Sequence, residues 1–385
     1  MKVTQIHELL NTVTNEVLGS EDLVKEDLTN LVDVGTEIIN ADKVDNFVNK
    51  LVHHIGKVQF NNEKYSGKAK NVLMDSWEYG AILQKIDAEL PEATENDSWN
   101  LVDGQSYDPN IFYQPKVSSQ FFDSKVTFEI PVSFAEKQVK GSFSNAEQMN
   151  GFLSMLTNRV DTSFTIKLDE LIMRTINNYI GTVISNKDTN TSVNLLSLYN
   201  QSSGETLTVD KCLTDPKFLR YANFIINTYV GRIARISTLF NIGKRERFTN
   251  VENSNLLLLN DFVNSSNVFL QADVKHNEFT GVNGVDTVPY WQGSGTNYDF
   301  ADTSKIDVKV NNGTKTGKEV TQTGIIGVLF DRNALGVTNL DRRVTTNYNP
   351  KAEFYTNFYK ADSGYFNDFN QNFIVFYVAD EVEQG

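Results

Sequence analysis

The sequence predicts an α+β protein, and three observations carry that reading. A stretch of unbroken two-residue alternation feeds a helical pattern of unusual length, further helices and strands follow without strict alternation, and no internal repeat organises them. In residues 124–134, Val126, Phe128, Ile130, Val132 and Phe134 fall on one side and Lys125, Thr127, Glu129 and Ser133 on the other, the period of a half-buried strand. Ser144-Asn-Ala-Glu147 has the pattern of a helix capping box. Apolar residues then recur at helical spacing from Phe152 through Leu156, Val160, Phe164, Leu168, Ile172, Ile176 and Ile180 to Val183. Unbroken, that helix covers ~40 residues and ~60 Å.

The other elements follow in chain order. Residues 1–58 read as acidic amphipathic helices with faces such as Ile6, Leu9, Leu10, Val13 and Val17. Helical periodicity is lost over 61–123, apart from a strand pattern at 81–86. The aromatics there (Trp77, Tyr79, Trp99, Phe112, Tyr113, Phe121, Phe122) indicate an ordered loop that packs on something. Residues 185–214 read as polar loop with a short strand at 205–209. A second helix is predicted from Pro216 to Phe240, with Asp215 as N-cap and Pro216 in the first turn. The apolar runs 256–259 and 325–330 read as buried strands. Residues 288–291, 306–310, 351–359 and 373–378 supply further strands.

Composition narrows the function. The 385 residues carry 49 acidic and 35 basic side chains, a formal net charge of −14, which repels phosphate backbones and argues against sequence-specific nucleic-acid binding. Hydrophobic content of 40% supports a real core, and the length suggests two or three structural regions. The single cysteine, Cys212, leaves no intrachain disulfide and fits synthesis in a reducing cytoplasm. No apolar run is long enough for a membrane span, and residues 1–7 lack the apolar core of a signal peptide.

No motif assembles a catalytic constellation, a cofactor site or a metal site. Gly293-Ser-Gly295 lacks the third glycine and following helix of a phosphate loop and reads as a turn. His7, His53, His54 and His276 have no partners at ligand spacing. Residues 307–313 put Lys309 at a ligand position of a calcium loop and so do not form one. Cys212 reads as a structural thiol, with a nucleophile as the minor alternative. Lys244-Arg-Glu-Arg247 and Arg342-Arg343 each fit a helix terminus or a carboxylate across an interface, with a phosphate site as the weaker reading.

Several local patterns together resemble the major capsid (head) proteins of tailed bacteriophages, especially phages of Gram-positive bacteria. Val32-Asp-Val-Gly-Thr-Glu-Ile-Ile-Asn40 and Phe47-Val-Asn-Lys-Leu-Val-His-His-Ile-Gly56 are similar to the N-terminal region of that family. Trp77-Glu-Tyr-Gly-Ala-Ile-Leu-Gln-Lys-Ile86, Leu90-Pro-Glu-Ala93 and Ser98-Trp99 are similar to the outgoing limb of its extended loop. Leu329-Phe-Asp-Arg-Asn-Ala-Leu-Gly-Val337, Arg342-Arg-Val-Thr-Thr346, Tyr348-Asn-Pro350 and Asn372-Phe-Ile-Val-Phe376 resemble its late strands. The order and spacing of these patterns span most of the chain and are faintest over 185–320.

The resemblance implies the HK97-like capsid fold: an N-terminal arm at 1–60, an extended β-hairpin (the E-loop) at 61–140, a peripheral domain with a long spine helix at 141–189, an axial domain at 190–340, and peripheral return strands with the C-terminus at 341–385. It implies a non-enzymatic major capsid protein that self-assembles as hexamers and pentamers into an icosahedral head enclosing double-stranded DNA. Scaffolding protein and portal are the implied partners, no cofactor and no membrane are involved, and the protein is made in the host cytoplasm and resides in the virion. Trp77, Tyr79, Trp99, Phe128, Ile130, Val132, Phe134, Arg342 and Arg343 are the expected subunit-interface residues. An encapsulin-like compartment shell or a tail structural protein is the alternative. A carbohydrate-binding or hydrolytic protein, with Trp77, Trp99 and Trp291 stacking on sugars, stands further off.

Overall fold

The computed structural model describes residues 10–15, 18, 25, 34, 69, 72–74, 82–91, 93–107, 110, 112–135, 146–269, 284–292, 302–310 and 317–380. Most of the expected N-terminal arm lies outside these residues. Within it, 10–15 are helical, with Leu10 and Val13 buried. The chain divides into two compact units: residues 1–78, 125–174 and 337–364 in the first, and 79–124, 175–336 and 365–385 in the second.

The first unit is built on a four-stranded sheet. Its strands are β1 (Leu73–Met74), β4 (Lys125–Ala135), β11 (Leu335–Asn349) and β12 (Phe354–Asn367), in the order β1-β11-β12-β4. The alternation read in 124–134 is realised by β4, which runs antiparallel to β12 with Phe128 opposite Ala361, Ile130 opposite Tyr359 and Val132 opposite Asn357. Those three partners are buried. The other side carries directly opposed polar pairs: Thr127 donates to Asp362 at 2.7 Å, Lys360 lies 3.2 Å from Glu129, and Ser133 bonds Thr356 at 2.9 Å. β4 is an edge strand, which is where Pro131, with no N–H to give a ladder, is tolerated.

The long helix α1 (Ala146–Asn186) has 41 residues, matching the periodicity of the sequence; the residues of its expected capping box before Ala146 are outside those described. Its first part contributes Val160, Phe164 and Leu168 to a single buried stripe at i, i+4 spacing. From Thr175 onward burial spreads to most sides of the helix, through Ile176, Asn177, Tyr179, Ile180 and Val183.

The second unit holds a five-stranded sheet ordered β5-β13-β10-β6-β7, made from β5 (Ser192–Asn194), β13 (Phe373–Tyr377), β10 (Ile325–Asp331), β6 (Ser254–Leu259) and β7 (Gly284–Val288). β10 and β6 are buried along their whole length, as their continuous apolar runs require of strands covered on both faces. On one face, Leu256, Leu258, Leu329, Ile374 and Phe376 form a core with helices α2 (Leu195–Ser203), α4 (Pro216–Ile233) and α5 (Asn260–Phe269); Cys212, in the helical turn α3 (Val209–Cys212), closes it. On the other face Tyr179 of α1 stacks on Phe373 at 3.9 Å between ring centroids and donates its hydroxyl to the Asp368 carbonyl at 2.9 Å. The hairpin of β8 (Ile306–Val310) and β9 (Lys318–Gln322) crosses α1 at Gly181, where a Cβ would come within 2.5 Å of Val308.

Several expectations are corrected, the first being the polar loop at 185–214, within which β5, α2 and α3 form. Residues 205–209 do not form a strand: the Asn200 side chain bonds both backbone groups of Leu207, at 2.9 and 3.0 Å, in place of a neighbouring strand. The helix starting at Pro216, capped by Asp215 as expected, ends at Ile233 rather than Phe240, because Ser237 pairs with Arg247 in an isolated bridge. The range 61–140 is not one hairpin, since β4 pairs with β12 rather than with the preceding limb. The range 341–385 is likewise divided, since β13 inserts between β5 and β10 in the second unit.

Candidate assembly surface

The limb preceding β4 forms its own two-stranded hairpin in the second unit. β2 (Leu83–Ala88) pairs antiparallel with β3 (Val117–Phe122), from Leu83 opposite Phe122 at the root to Ala88 opposite Val117. Period two gives it two unlike faces. One presents Ile86, Val117 and Phe121 to solvent, 65%, 59% and 63% exposed, continued by Ile82 and by Leu90, Trp99, Leu101, Phe112 and Tyr113 of the connecting loop. Trp99 is 94% exposed. Gln84 and Ser119 share this face, so it is an exposed face rich in large apolar side chains rather than a purely apolar one; such exposure marks an interaction surface, and a two-stranded hairpin does not stabilise itself in water.

The other face carries Lys85 and Asp87, continued by Glu89. The Lys85 ammonium donates to the Asn333 carbonyl at 2.6 Å and to Asp368 Oδ2 at 3.1 Å, and lies 4.3 Å from the Phe366 ring centroid. Burial pushes the Lys85 amine below the usual lysine range, against the pull of Asp368. Arg247 Nη2 donates to Asp87 at 2.6 Å, and Arg245 Nη1 to Glu89 at 2.7 Å. A groove of about 780 Å³ lies here, lined among others by Asp87, Glu89, Tyr113, Lys116, Arg245 and Arg247.

The expected interface residues do not all converge on this surface. Trp77 and Tyr79 lie outside the described residues, as does the side chain of Phe134. Trp99 is on the exposed loop. Phe128, Ile130 and Val132 are half-buried on the side of the first unit's sheet that carries buried Tyr359 and Ala361, so they build the fold of that unit first. The Arg342 guanidinium lies 5.7 Å from the Phe164 ring centroid. Arg343 pairs with Asp362 at 2.5 Å and with Asp341 at 3.2 Å. The basic cluster at 244–247 serves intrachain carboxylates, Lys244 pairing with Asp188. The alternation of Ile86 with the charges at 85, 87 and 89 is visible in the sequence, but the partners of those charges lie 156 to 283 residues away.

Chemistry elsewhere is sparse. Cys212 is buried and its thiol donates to the Val209 carbonyl at 2.9 Å. Burial pushes it up to about 11, which leaves little thiolate near neutrality and removes the basis for a nucleophile. Trp291 is fully buried with its indole N–H on the Ile325 carbonyl at 2.9 Å, so it offers no face to a sugar. Among the described residues no group of three or more His, Cys, Asp or Glu is placed to hold a metal ion, and no helix is long and apolar enough to cross a membrane.

Solved structures sharing this fold include chains from phage particles. A chain in the capsid structure of Staphylococcus phage Andhra superposes with a TM-score of 0.54 at 11% identity, over 83% of this chain and 86% of that one. A chain in the structure of the head fiber and inner core protein of native bacteriophage P68 gives 0.52 at 8% identity, over 83% and 87%. The fold is thus the α+β, HK97-like fold of capsid proteins. The sequence profile of one family, the Phi29-like phage major capsid protein, matches residues 10–377, and the chain belongs to that family. It is a phage major capsid protein, a structural component of the virion shell. Among curated proteins none matches it.

Proposed function

We propose that the chain assembles as hexamers and pentamers into an icosahedral head around double-stranded DNA. The observation that carries the reading is the apolar outer face of the β2–β3 hairpin, which the chain leaves uncovered while the opposite face is seated on its own unit. A second copy of the chain is the occupant that membership of a shell-forming family supplies. In this reading the hairpin is the extended loop, the four-stranded sheet with the first part of α1 is the peripheral domain, and the five-stranded sheet with its helices is the axial domain. Residues 1–60 act as an arm. Ile86, Val117, Phe121 and Trp99 are the principal contact residues. Trp77, Tyr79, Phe128, Ile130, Val132, Phe134, Arg342 and Arg343 are further proposed contacts between copies, taken separately from that face.

The net charge of −14 supports a role in which packaged DNA is enclosed without sticking to the wall. A scaffolding protein and a portal complete the proposed partners, synthesis is in the host cytoplasm, and the protein carries out no catalysis. Electron microscopy of the protein expressed alone and with a phage scaffolding protein tests the reading. Closed shells with hexameric and pentameric units support it. Persistent monomers under all assembly conditions overturn it.

A further inference from the structure

We propose that Lys85 and Asp368 of one chain condense into an isopeptide bond, with Lys85 Nζ joined to Asp368 Cγ and one water released. The inference stands apart from the assembly reading. It needs only the folded second unit, to which both residues belong.

The groups that such a condensation requires are in place. The nucleophile is the Lys85 amine, 3.1 Å from Asp368 Oδ2, and the side chain of Asp368 is 0% exposed. The Asn333 carbonyl accepts a Lys85 proton at 2.6 Å, and the rings of Phe122 and Phe366 wall the amine, their centroids 5.5 and 4.3 Å away. On the far side of the carboxyl, Oδ1 accepts the Asn370 backbone N–H at 3.1 Å, which supplies a donor where negative charge would gather. Asp368 is itself pinned: its N–H donates to the Ala334 carbonyl at 2.7 Å and its carbonyl accepts the Tyr179 hydroxyl at 2.9 Å. Held this way, the pair has no need to find each other, and such positioning can raise the effective concentration of an amine to about 10⁵ M or more. Gln120, opposite Lys85 in the β2–β3 ladder, has a buried Oε1 with no hydrogen-bond partner. It leaves an acceptor on the same face for the N–H of the product.

The step balances without a further reagent. Oδ2 takes a proton from the ammonium, leaving an amine and a carboxylic acid. Burial lowers the Lys85 amine, which favours that transfer. The nitrogen lone pair attacks Cγ, and charge collects on Oδ1 at the Asn370 N–H. The nitrogen then passes a second proton to Oδ2, and the Cγ–Oδ2 bond breaks to release water. Nothing is oxidised or reduced. The product is a neutral amide in place of two buried charges, whose desolvation an ion pair must otherwise bear.

Mass spectrometry of the purified full-length protein under denaturing conditions tests the proposal. The wild type is expected one water lighter than its sequence. Its tryptic digest should contain a branched peptide joining the segments around 85 and 368, uncut after Lys85. Lys85→Arg keeps the cation but offers no amine, and should have the full sequence mass. The bond joins positions 283 residues apart, so on a denaturing gel the wild type should also run ahead of Lys85→Arg. A wild-type chain at full sequence mass, cut by trypsin after Lys85, overturns the proposal and leaves the pair as an ion bridge. A water lost equally from the wild type and Lys85→Arg also overturns it, since the loss then lies elsewhere. Neither result bears on whether the protein builds shells, which is scored separately.

Discussion

Ile86→Asp separates assembly from folding. Ile86 is 65% exposed on the outer face of β2. Burying a whole isoleucine side chain is worth about 1.5–3 kcal/mol, so covering what remains exposed should yield about 1–2 kcal/mol per contact. Aspartate forfeits that gain and must shed water without an assured partner, adding at least about 2 kcal/mol. The combined loss of about 3–4 kcal/mol weakens each contact by more than about a hundredfold, and a closed shell repeats it at every copy. Folding should barely register the change, because the site touches little of its own unit and exposed substitutions stay within about 0.5 kcal/mol. Ile130→Asp is the contrast. It lies opposite buried Tyr359, whose hydroxyl is already pushed up to about 12 by burial and by the Asp161 charge. There a new carboxylate should cost about 2–4 kcal/mol of stability. Urea unfolding followed by circular dichroism, beside sedimentation velocity under assembly conditions, measures both. An Ile86→Asp protein that assembles like the wild type refutes the assignment of the hairpin face, as does one that loses stability as much as Ile130→Asp.

Two further outcomes follow from the electrostatics. The Arg343 hydrogen bond holds the Asp362 carboxyl below the usual carboxylate range, with burial opposing and Thr127 assisting. A depressed folded value means that its stabilisation is complete above the unfolded carboxylate range, near pH 4, and is lost as pH falls through the lower folded value. Asp362→Asn should flatten the acid-side loss of stability in that window, and urea midpoints between about pH 5 and pH 2 check it. Cys212, buried with its thiol near 11, should resist a maleimide at pH 7 in the native protein and react fully after unfolding. Rapid native labelling would show that the core around α3 opens.

The parts legible in the sequence were those whose periodicity is intrinsic. The alternation through Phe128, Ile130 and Val132 and the spacing through Val160, Phe164 and Leu168 stated that one face of each element is covered, and both elements form as read. The pattern did not state what covers them. Tyr359 and Ala361, more than 200 residues later, lie beside Ile130 and Phe128 on the same face of the sheet, a pairing that the local pattern does not contain. Periodicity alone does not mark β11, since Asp341-Arg-Arg343 and Thr345-Thr-Asn347 carry polar groups on both sides of the strand; only the family resemblance points to strands there. The hairpin was half legible. Its strand at 83–88 and its aromatic loop were visible, whereas the charges at 85, 87 and 89 gain meaning only beside Arg245, Arg247 and Asp368.

The central claim is that this chain builds a closed shell from copies of itself and uses the outer face of the β2–β3 hairpin to do so. Cryo-electron microscopy of the assembled wild-type particle tests both at once. The account requires an icosahedral shell in which Ile86, Val117 and Phe121 are covered by a neighbouring copy. A shell in which those side chains still face solvent, or material that forms no shell at all, would contradict it.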